Sequence, residues 1–318
     1  TQLVGADIIC PKKILKITGK VDLLMFLADR WKEYELIDVS GGEKLERWGK
    51  YLLIRPDPQI VWSLDKSQLS PLWKKADARY MRSKSGGGRW EVYNKLPDSW
   101  TINYDGLRFG IKPMGFKHTG LFPEQAANWD WMRGIISSSG RSDVKVLNLF
   151  AYTGGASVAA SAAGAAVCHV DAAKGMVSWA KENAALSGLK DRPIRYIVDD
   201  VKKFTEREVR RGNKYDGIVM DPPSYGRGPG GELWKIEQEL FDLIKLCMSV
   251  LSDKPLFFLT NTYTTGLSGS VMENIFRLTL LEKFGGSFEV DEVGLPITNL
   301  NLRLPCGYSS RWCASDIK

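Results

Sequence analysis

Histidine and paired cysteine are scarce in this chain of 318 residues. Only two histidines are present, His118 and His169, which leaves little material for a His-rich metal site or a Ser-His-Asp triad. The five cysteines include no CxxC pair, so the pattern indicates neither a disulfide framework nor a zinc knuckle. We therefore expect no metal ion, and we expect a reducing compartment, the cytoplasm, as the location.

Long runs without charge are also rare, and one of them spans residues 146–170. It is long enough to cross a membrane, but Gly154, Gly155 and Gly164 interrupt it. A buried strand–loop–helix–strand unit is predicted there, with no membrane contact. No basic segment followed by an apolar one opens the chain at Thr1, so a targeting segment, if the natural protein has one, precedes this sequence.

The first third of the chain predicts a smaller β-rich domain. Short runs of β-branched and aromatic residues, bounded by Gly, Pro and Asp, cover residues 34–39, 51–55, 60–64 and 90–93. Asp105-Gly106 separates two further runs, 101–104 and 107–111, and this dipeptide is typical of a tight hairpin turn. We place the boundary just beyond the hairpin, which gives an N-terminal domain at residues 1–112 and a second domain at 113–318.

Positive charge is concentrated in the same third, where residues 1–110 hold 19 Lys and Arg against 14 Asp and Glu. Its densest part is the basic patch, residues 73–90, whose cations are Lys74, Lys75, Arg79, Arg82, Lys84 and Arg89. Aromatic residues are interleaved with these cations, so the patch could bind phosphates while the rings stack on bases. A mobile, solvated loop with ordinary surface charge remains the alternative.

From residue 144 onward, apolar runs alternate with helical stretches. Strands are predicted at 144–150, 166–170, 194–198, 215–220 and 256–259, and helices at 172–186, 201–211, 232–251 and 270–283. Apolar runs of this kind suit a parallel sheet buried on both faces, so the order predicts a doubly wound α/β domain. Residues 288–293 and 303–313 predict an antiparallel strand pair at its C-terminal end.

Acidic residues follow the predicted strands at the ends where ligands bind in such sheets. The first strand leads into Gly154-Gly155, which would let the backbone approach a ligand, although a tight strand-to-helix connection needs the same residues. Asp171 ends the second strand, in position to accept both hydroxyls of a ribose. After the third strand, Asp199 or Asp200 can bind the amine of an adenine or cap the next helix.

The fourth predicted strand ends in the motif Asp221-Pro-Pro-Ser-Tyr225. Pro222 and Pro223 give a rigid strand exit, and Asp221 together with the Pro222 carbonyl can hold the protons of an exocyclic amine. That arrangement frees the nitrogen lone pair for attack, while Tyr225 can stack on the base. A plain Pro-Pro turn explains neither the aspartate nor its place at the end of the strand.

One more segment, KHTGLFPEQA at residues 117–126, leads into a helix with Trp129 and Trp131. It either closes over a cofactor or connects two domains through buried tryptophans.

In this order, the segments HTGLFPEQ, VLNLFAYTGGAS, VCHVD, VDDV and DPPSYGRG resemble the class I S-adenosylmethionine-dependent methyltransferases. The narrower similarity is to the branch that contains the 23S ribosomal RNA cytosine-5 methyltransferases, and it covers about residues 100–318. The resemblance implies a Rossmann-like methyltransferase sheet, S-adenosylmethionine as cofactor and an RNA base, with ribosomal RNA favoured, as the methyl acceptor.

The resemblance also assigns roles to individual residues. Residues facing the cofactor would be Thr119, Phe122 and Gln125 upstream, Phe150, Ala151, Tyr152, Thr153, Gly154, Gly155 and Ala156 at the methionine, Asp171 and Ala172 at the ribose, and Asp200 and Val201 at the adenine. Asp221 would border the site of methyl transfer, and Pro222, Pro223 and Tyr225 complete the catalytic candidates.

Two departures from the family pattern change the expected chemistry. Cytosine-5 enzymes use a cysteine nucleophile after the fifth strand, where this chain has Thr262, and Ser224 offers no thiol beside the prolines. A hydroxyl is a much poorer nucleophile than a thiolate, so transfer to a ring or exocyclic nitrogen is favoured over cytosine C5. The N-terminal segment does not plainly match the family's RNA-binding PUA domain, so an RNA acceptor rests on relatives and charge.

Three alternative functions stay open. One is methylation of a nitrogen on a protein or small molecule, and another is a non-catalytic RNA-binding relative. A nucleotide-dependent dehydrogenase is disfavoured because the first turn lacks the GxGxxG arrangement. No oligomeric state is predicted.

Overall fold

The computed structural model describes residues 25–83, 87–227, 233–263 and 266–314. Cys10, Lys84 and Gly228, the last residue of the DPPSYGRG segment, lie outside the described residues. So does Glu232, the first residue of one predicted helix.

The N-terminal part is built from strands. They are β1 (Phe26–Leu27), β2 (Tyr34–Ser40), β3 (Glu43–Trp48), β4 (Tyr51–Pro56), β5 (Ala78–Arg82), β6 (Gly88–Val92), β7 (Trp100–Tyr104) and β8 (Leu107–Ile111). The predicted turn between β7 and β8 is confirmed, because Asp105 and Gly106 both have positive φ angles, 44° and 83°.

The C-terminal part alternates between strands and helices. Its elements are α1 (Ala126–Ser138), β9 (Lys145–Leu149), α2 (Gly155–Ala162), β10 (Ala166–Asp171), α3 (Lys174–Leu186), β11 (Ile194–Val198), α4 (Val201–Arg211), β12 (Gly217–Met220), β13 (Tyr225–Arg227), β14 (Leu233–Lys235), α5 (Ile236–Met248), β15 (Phe257–Thr262), α6 (Gly269–Phe276), α7 (Glu282–Phe284), β16 (Ser287–Ile297) and β17 (Leu302–Cys313).

The sheet of this C-terminal part has the order β11-β10-β9-β12-β15-β17-β16. The first five strands are parallel and the last two add antiparallel pairing, which confirms the predicted Rossmann-like sheet with its C-terminal strand pair. The order reverses at β9, whose two neighbours, β10 and β12, follow it in opposite directions across the sheet. Such a reversal opens a crevice at the carboxyl ends of the strands.

The central strands of this sheet, β9, β10, β12 and β15, are largely buried, as their apolar runs predict. On β9, Val146 packs in a cluster that includes Trp129, whereas Leu147 and Leu149 pack in another that includes Phe258. Because successive side chains of a strand point to opposite faces, a strand covered on both sides has few places for polar residues.

The β-rich part extends the same sheet beyond β16. Ile297 of β16 pairs with Leu36 of β2, and the order continues through β3, β4, β5 and β6. The β7–β8 hairpin packs against α3, where the Asn183 side chain accepts a hydrogen bond from the Gly110 amide at 2.8 Å. The division into domains at residue 112 stays a prediction.

Several sequence predictions for the β-rich part are wrong. Residues 60–64 are not a strand, because only isolated bonds tie them to the sheet, such as the Gly41 amide donating to the Trp62 carbonyl at 2.8 Å. β3 and β5 were not predicted: four of the six residues of β3 are charged, and two arginines interrupt the five residues of β5. The basic patch is not a loop throughout: much of it forms the β5–β6 hairpin.

Two helix predictions also need correction. The helix predicted at 232–251 is shorter: α5 starts at Ile236, after the β14 strand, and ends at Met248. The helix predicted at 270–283 is α6 and α7 joined by a π-helical turn, Arg277–Leu281. Among the helices of the described residues, none combines the length and the apolar character needed to cross a bilayer.

Candidate functional site

A cavity opens at the carboxyl edge of the sheet, where the strand order reverses. Nine residues predicted as site residues line it: Phe122, Gln125, Phe150, Ala151, Tyr152, Thr153, Gly155, Ala156 and Asp221. They come from three separate parts of the chain, namely the segment before α1, the loop after β9 and the end of β12. The fold therefore brings together residues up to about one hundred positions apart.

The loop after β9 has an unusual backbone. Phe150 and Tyr152 have positive φ angles, 53° and 50°, and Gly154 follows with 83°. Left-handed backbone is rare in residues other than glycine and often marks functional sites. The Tyr152 amide donates to the Asp171 carboxylate at 2.8 Å, and the Asn183 side chain donates to the Thr153 carbonyl at 2.8 Å. These bonds hold the loop in its strained shape.

Gly154 and Gly155 are required by packing against the protein itself. A Cβ on Gly155 would lie 2.6 Å from the Trp129 ring, and one on Gly154 would lie 2.8 Å from the Ala180 Cβ. Both predicted reasons for the Gly-Gly pair, a tight connection and close approach to a ligand, are thus compatible with the fold. The packing shows that the tight connection alone needs both residues.

Asp171 lies at the end of β10 with its carboxylate beside this loop. One oxygen accepts the Tyr152 amide and the other accepts the Ala173 amide, each at 2.8 Å. Each carboxylate oxygen has a second lone pair, so the group can accept two further hydrogen bonds. Burial raises its pKa above the ordinary value, although the two amide bonds oppose the rise.

The segment before α1 lines the cavity and leads into a helix with a buried tryptophan; its role over a cofactor stays a prediction. The Phe122 ring lies 5.4 Å from the Tyr152 ring, and the Thr153 hydroxyl donates to the Gly120 carbonyl. Trp129 is buried in α1 against Gly155. The chain therefore closes over the loop after β9 at the point where α1 begins.

A buried polar network fixes the Gln125 side chain. Its carbonyl oxygen accepts from Asn128 at 2.9 Å and from Asn261 at 3.1 Å, and its amide donates to the Tyr263 hydroxyl oxygen. The network joins the segment before α1 to the end of β15, the fifth parallel strand. Gln125 is thus pre-oriented in the cavity wall rather than free to rotate.

Asp221 follows β12 at the same edge of the sheet as the loop after β9. Its amide donates to the Leu149 carbonyl at 3.4 Å, which ties the motif to the end of β9. Burial, and then the negative charge of Glu124, raise the pKa of Asp221 to about 8. The protonated form of the carboxyl group therefore predominates at pH 7, and the carboxylate forms as the pH rises through about 8.

The rest of the Asp-Pro-Pro motif lies outside the cavity wall. Pro222 is buried, and the Pro223 carbonyl accepts from the Trp234 indole of β14 at 2.6 Å. Trp234 also lies 5.3 Å from the Phe150 ring, so the β13–β14 hairpin covers the motif. Tyr225, expected to stack on a base, is 55% exposed and does not line the cavity.

The remaining predicted residues do not line the cavity. Thr119 is buried, and its hydroxyl is without a hydrogen-bond partner among the described residues. Asp200 caps α4 by accepting the Lys203 amide at 2.9 Å, which was the alternative considered for it, and Val201 packs in the core behind it. Asp199 pairs with Arg207, and Ala172 follows Asp171.

Several cavity residues were not predicted from the sequence. They are Leu121, Trp129, Asn148, Val219 and Asn261. Asn148 and Asn261 lie near the carboxyl ends of β9 and β15, so the rule that placed the aspartates at that edge could also have found them. The others are apolar and carry no signal that distinguishes them from core residues.

The cysteines of the described residues lack an obvious activating environment. Burial raises the pKa of Cys168 to about 11, and it raises the pKa of Cys247, which is buried in α5. Cys306 lies on β17 beside Gly307. Gly307 is close to the end of β15, because a Cβ there would lie 2.6 Å from the Thr262 carbonyl oxygen. Burial and the charge of Glu124 raise its thiol pKa well above the ordinary value. Within the described parts of the chain, we find no cluster of three or more metal-ligating side chains.

Comparison with known proteins gives the family. Residues 62–243, more than half of the chain, match the model of a family described as S-adenosylmethionine-dependent methyltransferase. A solved structure, the SAM-dependent methyltransferase from Agrobacterium tumefaciens, is 36% identical, covers 91% of this chain and 93% of its own, and superposes with a TM-score of 0.85. Fold and sequence agree over nearly the whole length.

Curated relatives are named for ribosomal RNA. The ribosomal RNA large subunit methyltransferase K from Neisseria meningitidis is 29% identical over 74% of this chain and 68% of the relative. The methyltransferase K/L from Colwellia psychrerythraea is 33% identical over 55% of this chain, and the match spans 24% of that longer relative. With the family model and the Agrobacterium structure in agreement, the chain belongs to the S-adenosylmethionine-dependent methyltransferases.

Proposed function

We propose that this protein transfers a methyl group from S-adenosylmethionine to a nitrogen of a base in ribosomal RNA. The observation that carries the proposal is the meeting of Asp221 with the strained loop after β9 in one cavity. The names of the curated relatives support ribosomal RNA as the acceptor. The β-rich part would help to present that RNA.

The residues present fit the cofactor. Asp171 keeps one lone pair on each oxygen after accepting two backbone amides, which suits the two hydroxyls of a ribose. The buried, unpartnered hydroxyl of Thr119 is a further polar group without an internal partner among the described residues. Residues 150–156 with Phe122 and Gln125 would hold the methionine portion, Ala172 would lie beside the ribose, and Asp200 and Val201 would border the adenine.

The sulfonium of the cofactor supplies an already activated methyl group, so the protein has to align donor and acceptor. Alignment of two reactants is worth about 7–11 kcal/mol of the barrier at best. The Asp221 carboxylate would accept a hydrogen bond from an N–H of an amine on the base. This leaves the nitrogen lone pair directed toward the methyl group. Pro222, Pro223 and Tyr225 would keep this end of β12 rigid.

The thiol chemistry argues for nitrogen rather than cytosine C5. A C5 mechanism needs a thiolate to add to C6 of the base, and thiolates form where nearby groups lower the thiol pKa. At Cys306, the cysteine close to the end of β15, burial raises that pKa instead. Thr262 occupies the end of β15 itself and is buried.

The test is transfer of labelled methyl from S-adenosylmethionine to a transcript of large-subunit ribosomal RNA. Label released by nuclease and found on a base nitrogen after nucleoside analysis is the expected result. An Asp143→Ala variant, which alters an exposed aspartate away from the cavity, serves as control for Asp221→Ala. Label on cytosine C5, or only in protease-sensitive material, would contradict the proposal. With ribosomal RNA as acceptor, we propose the cytoplasm as the location.

A further inference from the structure

The basic patch of the sequence lies beside the candidate site. On the β5–β6 hairpin, the Trp90 indole donates to the Met114 carbonyl at 2.9 Å and the Tyr80 hydroxyl donates to the Gly115 carbonyl at 3.2 Å. The Tyr152 hydroxyl of the loop after β9 lies 3.6 Å from the Met114 sulfur. A single segment, residues 112–119, therefore touches both the patch and the cavity loop.

Only some cations of the patch remain available to a ligand. Arg79 forms two hydrogen bonds with the Glu43 carboxylate, at 2.8 and 2.7 Å. Arg82 lies on the same face of the hairpin as Tyr80 and Trp90, because alternate residues of a strand share a face. That face is the one that contacts residues 112–119. Among the described residues, Arg82 forms no ion pair within 4 Å.

Lys117 lies on the segment that this face contacts. Its backbone is fixed, since the Arg55 guanidinium donates to the Lys117 carbonyl at 3.1 Å. The charge of Arg55 is neutralised by a two-point pair with Glu46, and Lys44 lies 3.1 Å from Asp57. The Lys117 ammonium has no such partner within 4 Å in the described part of the chain.

The electrostatic surroundings of Lys117 are positive. Burial lowers its pKa, the charge of Asp57 opposes this, and the charges of Lys44, Arg55 and Arg82 lower it further. The influence of Arg82 also agrees with its position on the facing side of the hairpin. A bound anion would relieve the repulsion between the two side chains, as phosphates do where Lys and Arg converge.

A row of rings leads from Lys117 into the cavity. His118 lies 5.2 Å from the Phe122 ring, and Phe122 lies 6.4 Å from the Tyr263 ring. Burial and the charges of Arg55, Lys117 and Lys44 lower the His118 pKa to about 4, so this ring is neutral at pH 7. Neutral aromatic faces suit a nucleobase, since every base can stack on them.

We propose that Lys117 and Arg82 together bind a backbone phosphate of the acceptor RNA, next to the nucleotide whose base enters the cavity along the rings of His118 and Phe122. This inference rests on the proposed function, since it takes the acceptor to be RNA. It assigns a role in acceptor binding to part of the basic patch. Phosphate contacts position a nucleic acid without reading its sequence.

The experiment compares Lys117→Met and Arg82→Met with Lys190→Met. Methionine keeps an unbranched apolar stem and removes the charge, and Lys190 is an exposed lysine that precedes β11 at the opposite edge of the sheet. Filter binding of a large-subunit ribosomal RNA transcript is measured over a range of KCl concentrations, alongside KM, kcat and the calorimetric affinity for S-adenosylmethionine.

We expect each of the two variants to weaken RNA binding about tenfold and to reduce the slope of log K against log salt by about 0.7–0.9, the loss of one phosphate contact. The affinity for S-adenosylmethionine and the behaviour of Lys190→Met stay at the wild-type level. Unchanged RNA affinity and salt slope in Lys117→Met would overturn the inference, and so would an equal loss in Lys190→Met.

Failure of the two proposals can be distinguished. If the wild type methylates the transcript and Lys117→Met retains the full salt slope, the proposed function stands and the phosphate site falls. If the wild type binds the transcript without methylating it and Lys117→Met loses one contact, the phosphate site stands and the proposed acceptor is wrong. If the wild type does not bind the transcript, or if Lys117→Met weakens only the binding of a protein acceptor, the proposed phosphate site is wrong.

Discussion

Around the loop after β9, backbone amides and close apolar contacts hold the chain, whereas ion pairs organise the β-rich part. The loop depends on Asp171, which accepts two amides, and on Gly155, which admits the Trp129 ring. In the β-rich part, Glu46 pairs with Arg55 and Asp57 with Lys44. Close packing therefore fixes the backbone shape of the loop after β9, whereas ion pairs set the positions of charged groups in the β-rich part.

This difference predicts how substitutions in each region affect stability and ligand binding. Apolar close packing is intolerant of added volume, and its loss shows in stability and in binding of a ligand that needs the shape. A buried ion pair is intolerant of the loss of one partner, because the remaining charge stays desolvated. Both kinds of failure can be measured separately from methyl transfer.

The largest effect is expected when the buried ion pair is broken. Glu46 is fully buried and accepts both Arg55 bonds, at 2.5 and 2.7 Å, so Glu46→Gln leaves the Arg55 charge without its carboxylate. We expect the free energy of unfolding to fall by about 3–5 kcal/mol. Urea denaturation at pH 7 measures it, with Glu35→Gln, which removes a half-exposed pair to Arg47, as the control.

The pH dependence sharpens the same test. Although burial opposes it, the charges of Arg55 and Lys44 lower the Glu46 pKa to about 2. Its contribution to stability is therefore present above the unfolded value of 4.5 and is lost as the pH falls toward 2. The difference between wild type and Glu46→Gln should shrink below about pH 4. A difference that is constant from pH 7 to pH 3 would contradict the assignment.

Next in size is the loss of turnover in Asp221→Asn. We expect kcat to fall about 100-fold or more, since the amide cannot accept through a charged oxygen, while calorimetric affinity for S-adenosylmethionine changes little. In the wild type, kcat/KM for S-adenosylmethionine should rise with pH toward a plateau above about 8, the raised pKa of Asp221. This rise of kcat/KM with pH should be absent in Asp221→Asn. If the rise persists in the variant, it reports the titration of another group.

Asp171→Ala should weaken cofactor binding. The change removes the acceptor of the Tyr152 amide and the two lone pairs proposed for the ribose, so we expect the calorimetric affinity for S-adenosylmethionine to fall by about 10- to 100-fold. Asp191→Ala, which alters an exposed aspartate before β11 that does not line the cavity, is the control. Equal affinity in Asp171→Ala and wild type would contradict the ribose assignment.

The smallest expected effect is that of Gly155→Ala. The added Cβ would lie 2.6 Å from the Trp129 ring, so we expect a loss of about 1–3 kcal/mol in the free energy of unfolding. Gly175→Ala, where a Cβ meets nothing within 4 Å, should lose no stability. If the two variants unfold alike, the packing of the loop after β9 is softer than the structure indicates.

The two halves of the chain also differ in how far sequence patterns predict them. β9, β10 and β12 are largely buried, and their mainly apolar runs predict these strands with nearly correct bounds. In β3, the buried Glu46 interrupts the pattern, and its charge is stabilised by side chains of neighbouring strands, Arg55 and Tyr34, as well as by Lys44. Strands stabilised by long-range ion pairs leave no periodic signal.

The sequence by itself determined the α/β order and the positions of the aspartates that follow its strands, because strand and helix periodicity are local and the carboxyl ends of parallel strands share one edge. Only the tertiary structure decided which residues complete the cavity. The bond from Gln125 to Tyr263 joins residues 138 positions apart. The bonds from Tyr80 to Gly115 and from Trp90 to Met114 likewise depend on how the β5–β6 hairpin folds onto residues 112–119. These contacts follow from packing between distant segments, which no local pattern encodes.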